Sequence, residues 1–169
     1  MAKRRFGLAF GIAGSTFVLC WLLFALFFHN PSSQGLFVLG NLTTAMGLVL
    51  ILLAIGTLRA RGRPEAGKDF AASTVLVRRG VYAVVRPPLY LGWLLMYPAA
   101  MLVSQHWLVI LLGTVGAGSM LAICREADRE LVGKFGAAYA DYMREVPRLN
   151  LVVGIARKAA RRKERQNGQ

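Results

Sequence analysis

The chain has 169 residues, 56% of them hydrophobic and only 17% charged, with a mean hydropathy of +0.48, a balance too apolar for an ordinary soluble domain and suited to a bilayer. Its formal charge is +13, from 21 Lys and Arg against 8 Asp and Glu, but the basic residues lie outside the apolar runs, so lipid phosphate accounts for them and no nucleic-acid partner is expected. The same composition excludes disorder and a collagen-like repeat, and Cys20 and Cys124, set in apolar segments, imply neither a disulfide framework nor a metal site.

Only a helix satisfies its backbone polar groups within its own segment in hydrocarbon, and crossing takes roughly 20 apolar residues. Residues 6–28 and 35–58 each meet that length without a charge. Lys3, Arg4 and Arg5 before the first run resemble a signal peptide, but no small-residue cleavage site follows it, so a retained anchor is expected. The uncharged run over 87–124 is too long for one crossing and is expected to fold back at Ser104, Gln105 and His106, beside Trp107. The expectation is therefore an all-α integral membrane protein with four transmembrane helices, a cytoplasmic loop and C-terminal helices.

Three Lys and Arg precede the first span, seven lie between spans two and three, eleven follow span four, and the other two loops have none. The positive-inside rule then puts both termini and the central loop in the cytoplasm. Arg used far more than Lys points to a bacterial source, hence an inner membrane. All the acids share the cytoplasmic side, and the spans carry no ionisable pathway, which argues against a transporter. Gly7 and Gly11 in the first span, with Gly113, Gly116 and Gly118 in the fourth, suggest close helix packing. Three regions follow: a membrane hairpin over 1–58, a core over 59–148 and a basic tail over 149–169.

The central loop divides into a flexible stretch over 59–68 and an ordered one over 70–90. Pro87 and Pro88 fix the chain before the third span, and Pro88 suits a first helical turn whose N–H groups, near Arg86, could seat an anion. After the fourth span a helix is expected to run on into the cytoplasm. Glu126 and Glu130 share one face, while Leu131, Phe135, Tyr139 and Tyr142 form an apolar stripe if Gly136 only bends the path. The spacing alone favours a plain solvated charged face over that packed stripe, with Glu126 paired to Arg129 and Glu130 to Lys134. The tail mixes Leu149, Leu151, Val152, Val153 and Ile155 with a basic run over 157–165, suited to anionic headgroups at a membrane surface.

Two blocks carry a family likeness: Gly80-x-Tyr82-x-x-x-Arg86-x-Pro88-x-Tyr90-x-Gly92-Trp93, then Leu131-x-x-x-Phe135-Gly136-x-x-Tyr139-x-x-Tyr142-x-x-x-Val146-Pro147-Arg148. Together, about one helical hairpin, they resemble the isoprenylcysteine carboxyl methyltransferase family and its relatives, the phospholipid N-methyltransferases. The resemblance implies an integral-membrane enzyme that binds S-adenosylmethionine in a cytoplasmic pocket and methylates a lipophilic acceptor entering from the bilayer. It would give Arg86 and Arg148 the task of orienting an anionic group. Gly80, Tyr82, Arg86, Pro88, Tyr90, Gly92, Glu126, Glu130, Tyr139 and Tyr142 would bind the cofactor. Methyl transfer from a sulfonium needs alignment and a dry site rather than a metal. Two positions depart from the family pattern: Pro87 stands where His is usual, and Ala127 with Asp128 where an acidic pair is usual. The alternative is a noncatalytic homologue serving as a membrane scaffold or partner-binding subunit.

Overall fold

The computed structural model describes residues 2–27, 31–62 and 75–167, with side chains for 6–27, 31–62 and 75–160. The described residues are helical: α1 (Ala2–Leu26), α2 (Gln34–Arg61), a 3-10 turn (Gly80–Ala83), α3 (Pro88–Ser104), α4 (Trp107–Phe135), α5 (Ala137–Glu145) and α6 (Leu151–Asn167). The flexible stretch expected over 59–68 begins inside α2, and residues 63–68, with the start of the ordered stretch, lie outside the described residues.

Among the described residues, three helices are long and apolar enough to cross a bilayer: α1 over Phe6–Leu26, α2 and α4. Where four spans were expected, the helix in the remaining place, α3, is apolar but has only 17 residues, interrupted by Pro98. At about 1.5 Å per residue it rises roughly 25 Å, somewhat less than a hydrocarbon core of about 30 Å. Pro88 opens α3 as expected, because a first-turn residue needs no N–H in the helix ladder. The reversal falls at Gln105 and His106, with Gln105 at φ 52.

Residues 1–49 and 92–129 form one compact unit, and 50–91 with 130–169 form another. In the first, Cys20, Ala100 and Val109 make a buried cluster with Trp21, Leu23 and Leu112 against it. Phe17 meets Trp93 and Tyr97 edge-on at 5.4 and 6.1 Å, and the Tyr97 hydroxyl donates to the Ala13 carbonyl at 2.8 Å. Helix separation is set by missing side chains: a Cβ on Gly116 would run into the Tyr97 ring and the Thr16 hydroxyl, and one on Gly113 into Met101. The expected small-residue packing therefore holds at these two positions. It does not hold at Gly7, Gly11 and Gly118, where a Cβ would meet nothing within 4 Å, because no described helix covers those faces. Two loops are tied by one side chain. The Ser33 N–H donates to Gln105 Oε1 at 2.7 Å, and Gln105 Nε2 donates to the Ser33 carbonyl at 2.8 Å.

In the second unit, Tyr139, Tyr142 and Val146 form the core, with Leu76, Leu131, Phe135 and Met143 packed on it. The apolar stripe expected after the fourth span thus forms, although Gly136, at φ 55, ends α4 instead of bending one continuous helix.

Overpacking an occupied interface destabilises by about 1–3 kcal/mol. Gly116→Leu is expected to lower the melting temperature of the purified chain in detergent, whereas Gly11→Leu, facing open space, is expected not to; equal losses would mean that both glycines are covered.

Candidate functional site

The second unit brings together two segments about 60 residues apart in the chain. Gly80 opens the first segment at φ 67, a conformation that costs other residues energy, and its bare Cα faces Thr57: an added Cβ would lie 3.1 Å from the Thr57 hydroxyl. The 3-10 turn over Gly80–Ala83 then reverses the chain, and the Val84 and Val85 N–H groups both donate to the Val81 carbonyl. This delivers Arg86 to the second segment.

There the Arg86 N–H donates to the Pro147 carbonyl at 3.2 Å, and the Leu149 N–H donates to the Arg86 carbonyl at 3.1 Å. The result is an isolated parallel bridge that pairs Arg86 with Arg148. The Arg86 side chain, in a residue only 7% exposed, turns to the end of α5, donating from Nε to the Val146 carbonyl at 2.8 Å and from Nη2 to the Met143 carbonyl at 3.4 Å. The last carbonyls of a helix have no donors within it and carry its negative pole, so a guanidinium is well matched to them.

A second set of contacts ties the same segments together. The Tyr142 hydroxyl donates to the Tyr82 carbonyl at 2.7 Å. Arg78 donates to the Ala138 carbonyl and sits over the Tyr142 ring, 5.8 Å from its centroid. Tyr139 and Tyr142 lie 5.6 Å apart, ring to ring. Burial pushes the Tyr82 phenol well above its ordinary range, and the neighbouring Tyr142 and Tyr90 phenols push it the same way.

Of the residues singled out from sequence, Gly80, Tyr82, Arg86, Pro88, Tyr90, Glu130, Tyr139, Tyr142 and Arg148 all belong to this unit. Their surroundings differ. Tyr139 and Tyr142 are core residues, Arg86 and Pro88 are buried, Tyr82, Tyr90 and Arg148 are half-buried, and Glu130 is exposed. Gly92 and Glu126 belong to the other unit. There the Gly92 carbonyl lies 3.0 Å from where a Gly47 Cβ would stand, and Glu126 pairs with Arg129 at 3.0 Å, the local pairing its spacing allowed.

Sequence reasoning missed Arg78, whose carbonyl and ring partners lie far along the chain, and Gly154, whose bare Cα abuts the Val84 carbonyl. A glycine in an otherwise amphipathic stretch was the available signal for Gly154. It also missed the burial of Asp128, which is 5% exposed although its charged neighbours suggested a solvated face.

The family profile described as phospholipid methyltransferase matches residues 36–135. Methanethiol S-methyltransferase 2 of Bradyrhizobium diazoefficiens is 34% identical over 90 residues, covering 53% of this chain and 31% of that protein. The chain thus spans about a third of the length of that relative. No solved structure matches it.

Tyr142→Phe removes one hydroxyl donor and is expected to cost about 1 kcal/mol, read as a lower melting temperature near neutral pH. The Tyr82 phenol titrates higher in the folded chain than in the unfolded one, so its contribution is intact below about pH 10. As pH rises further the unfolded chain loses that proton first, and stability falls. Tyr82→Phe should therefore lessen the alkaline loss of melting temperature; an unchanged slope would show that this phenol titrates normally.

Proposed function

The chain belongs to the phospholipid methyltransferase family, and from that premise we propose that it is a membrane enzyme moving a methyl group from S-adenosylmethionine to a lipophilic acceptor that arrives from the bilayer. The observation that carries this reading is the bridge pairing Arg86 with Arg148, which sets two family-like segments side by side.

The donor set suits this cofactor. A zwitterion with an adenine ring needs a cation for its carboxylate, an acid for its ammonium and aromatic or apolar walls. Arg148, half-buried and paired with Arg86 through the bridge, is the group proposed to orient the carboxylate. Glu130, exposed at the end of α4, is the acid available in the same unit, and Tyr82 and Tyr90 offer half-buried rings. Tyr139, Tyr142, Gly80 and Pro88 serve by shaping the backbone that carries these groups. When bound, S-adenosylmethionine supplies a methyl group on a sulfonium, open to in-line displacement. The chain's own task is then to align the acceptor and keep water out.

The membrane setting supports a lipophilic acceptor. α1, α2 and α4 are membrane-length helices, and α3 is proposed as a short fourth span. The distribution of Lys and Arg supports both termini and the 59–86 segment in the cytoplasm of a bacterial inner membrane, where the cofactor is made. Acceptor classes to be compared are a small thiol, as the relative's name states for that protein, a lipid amine and an isoprenylcysteine carboxylate.

A noncatalytic scaffold is the second reading, favoured by one observation: the Arg86 side chain is engaged with the Val146 and Met143 carbonyls, as a purely structural residue would be. Calorimetry separates the two. The full chain in detergent should bind S-adenosylmethionine, and Arg148→Ala should weaken binding by about 1–3 kcal/mol; no heat at millimolar cofactor would overturn the enzyme reading. Incubating the chain in vesicles with methyl-labelled cofactor and each acceptor class should then label one class, and labelling of none would favour the scaffold.

A further inference from the structure

α6 leaves the core of the second unit in an organised way. The Asn150 side chain caps it, accepting from the Val153 N–H at 3.0 Å, and one turn later Gly154 lies flush against the Val84 carbonyl, where any side chain would collide. Arg157 Nη1 reaches the Arg144 carbonyl at 3.5 Å. Those contacts fix one side of the helix.

The other side is apolar and uncovered. At about 100° per residue, Val152, Ile155, Ala156 and Ala159 fall in one arc away from Gly154, with Leu151 and then Lys158 along one border, while Arg157 lies on the Gly154 side, facing the Arg144 carbonyl. Val152 is 77% exposed and Ile155 55%. Beyond them the sequence adds Arg161, Arg162, Lys163 and Arg165 against the single acid Glu164. An apolar ridge bordered by cations, on a helix with this charge excess, complements a bilayer surface bearing negative headgroups: the ridge enters the acyl boundary while the cations stay at phosphate level. A protein partner with an apolar groove would not call for the basic border.

We propose that α6 is a docking surface for anionic lipid, seated on the bilayer through its Val152, Ile155 and Ala159 ridge. Because Gly154 is fixed to Val84, two residues before Arg86, docking also holds the Arg86 segment at the membrane surface. That consequence, unlike the docking itself, rests on the reading of the segment as a methyl-transfer site.

The test uses the full chain in phosphatidylcholine vesicles with phosphatidylglycerol added in steps. Val152→Cys takes a fluorophore, the native Cys20 and Cys124 being buried, and lipid chains spin-labelled near the headgroup serve as quencher. Quenching should rise with the phosphatidylglycerol fraction and fall with salt. Each basic residue near an anionic surface is worth roughly fivefold in partitioning, so Lys158→Gln with Arg162→Gln, one turn apart along the ridge's border, should lower the docked-to-free ratio roughly 25-fold. Quenching indifferent to phosphatidylglycerol and to the double substitution would overturn the proposal. So would quenching that falls only as protein density rises, because a second copy would then cover the ridge. No step requires methyl transfer, so loss of docking leaves the enzyme reading intact, and loss of cofactor binding with quenching retained sinks only that reading.

Discussion

A buried guanidinium facing the end of a short helix is the constraint on which the second unit depends. Burying the Arg86 guanidinium at 7% exposure requires acceptors in place of water. α5 supplies them because it is only nine residues long and stops at Glu145, leaving the Met143 and Val146 carbonyls without helical donors. Each side offsets part of the other's penalty. With the side chain so fixed, the backbone on either side of Arg86 falls into register with Pro147 and Leu149, and the bridge closes. Leu149, at φ 54, holds a conformation that bulky residues seldom adopt, and its N–H is the one bonded to Arg86. The link between two distant segments therefore rests on polar satisfaction as much as on the Tyr139 and Tyr142 core.

The first unit is held by different physics. Where lipid is as apolar as the side chains, burial of leucine gives helices little reason to associate, and close shape fit with a few hydrogen bonds must do it. Gly116 and Gly113 provide the fit, and Tyr97 provides the bond to Ala13. The numerous exposed Leu and Val side chains along α1 and α2, such as Leu42 and Leu52, suit lipid contact better than water.

Much of this was legible from residue order. Uncharged runs marked α1 and α2 to within a few residues, Pro88 marked the start of α3, and the polar cluster at 104–106 marked the reversal before α4. The stripe of Leu131, Phe135, Tyr139 and Tyr142 was correct as a core even though Gly136 splits its helix, because the i,i+3 and i,i+4 spacing survives a single turn. What could not be read was any contact whose acceptor is a backbone carbonyl, since every residue has one: hence the partners of Arg86 and Arg78. Glycines show the same limit. Gly116 and Gly118 look alike in sequence, yet only the first meets a neighbour, and that depends on helices far along the chain.

The departure at Pro87 also has a local physical meaning. Two consecutive prolines at the start of α3 carry no N–H, and the Leu91 N–H is taken by the Pro87 carbonyl. Only Leu89 and Tyr90 are left with N–H groups in the first turn that the ladder itself cannot use. An anion placed at that helix end would find fewer donors than an ordinary N-terminus offers, so the helix pole is a poorer seat than the sequence alone suggests. Arg148, paired with Arg86 through the backbone bridge, is half-buried in the same unit. Drawing the Arg86 guanidinium away would strip the carbonyls at the end of α5 of these donors, so its position is set by the fold.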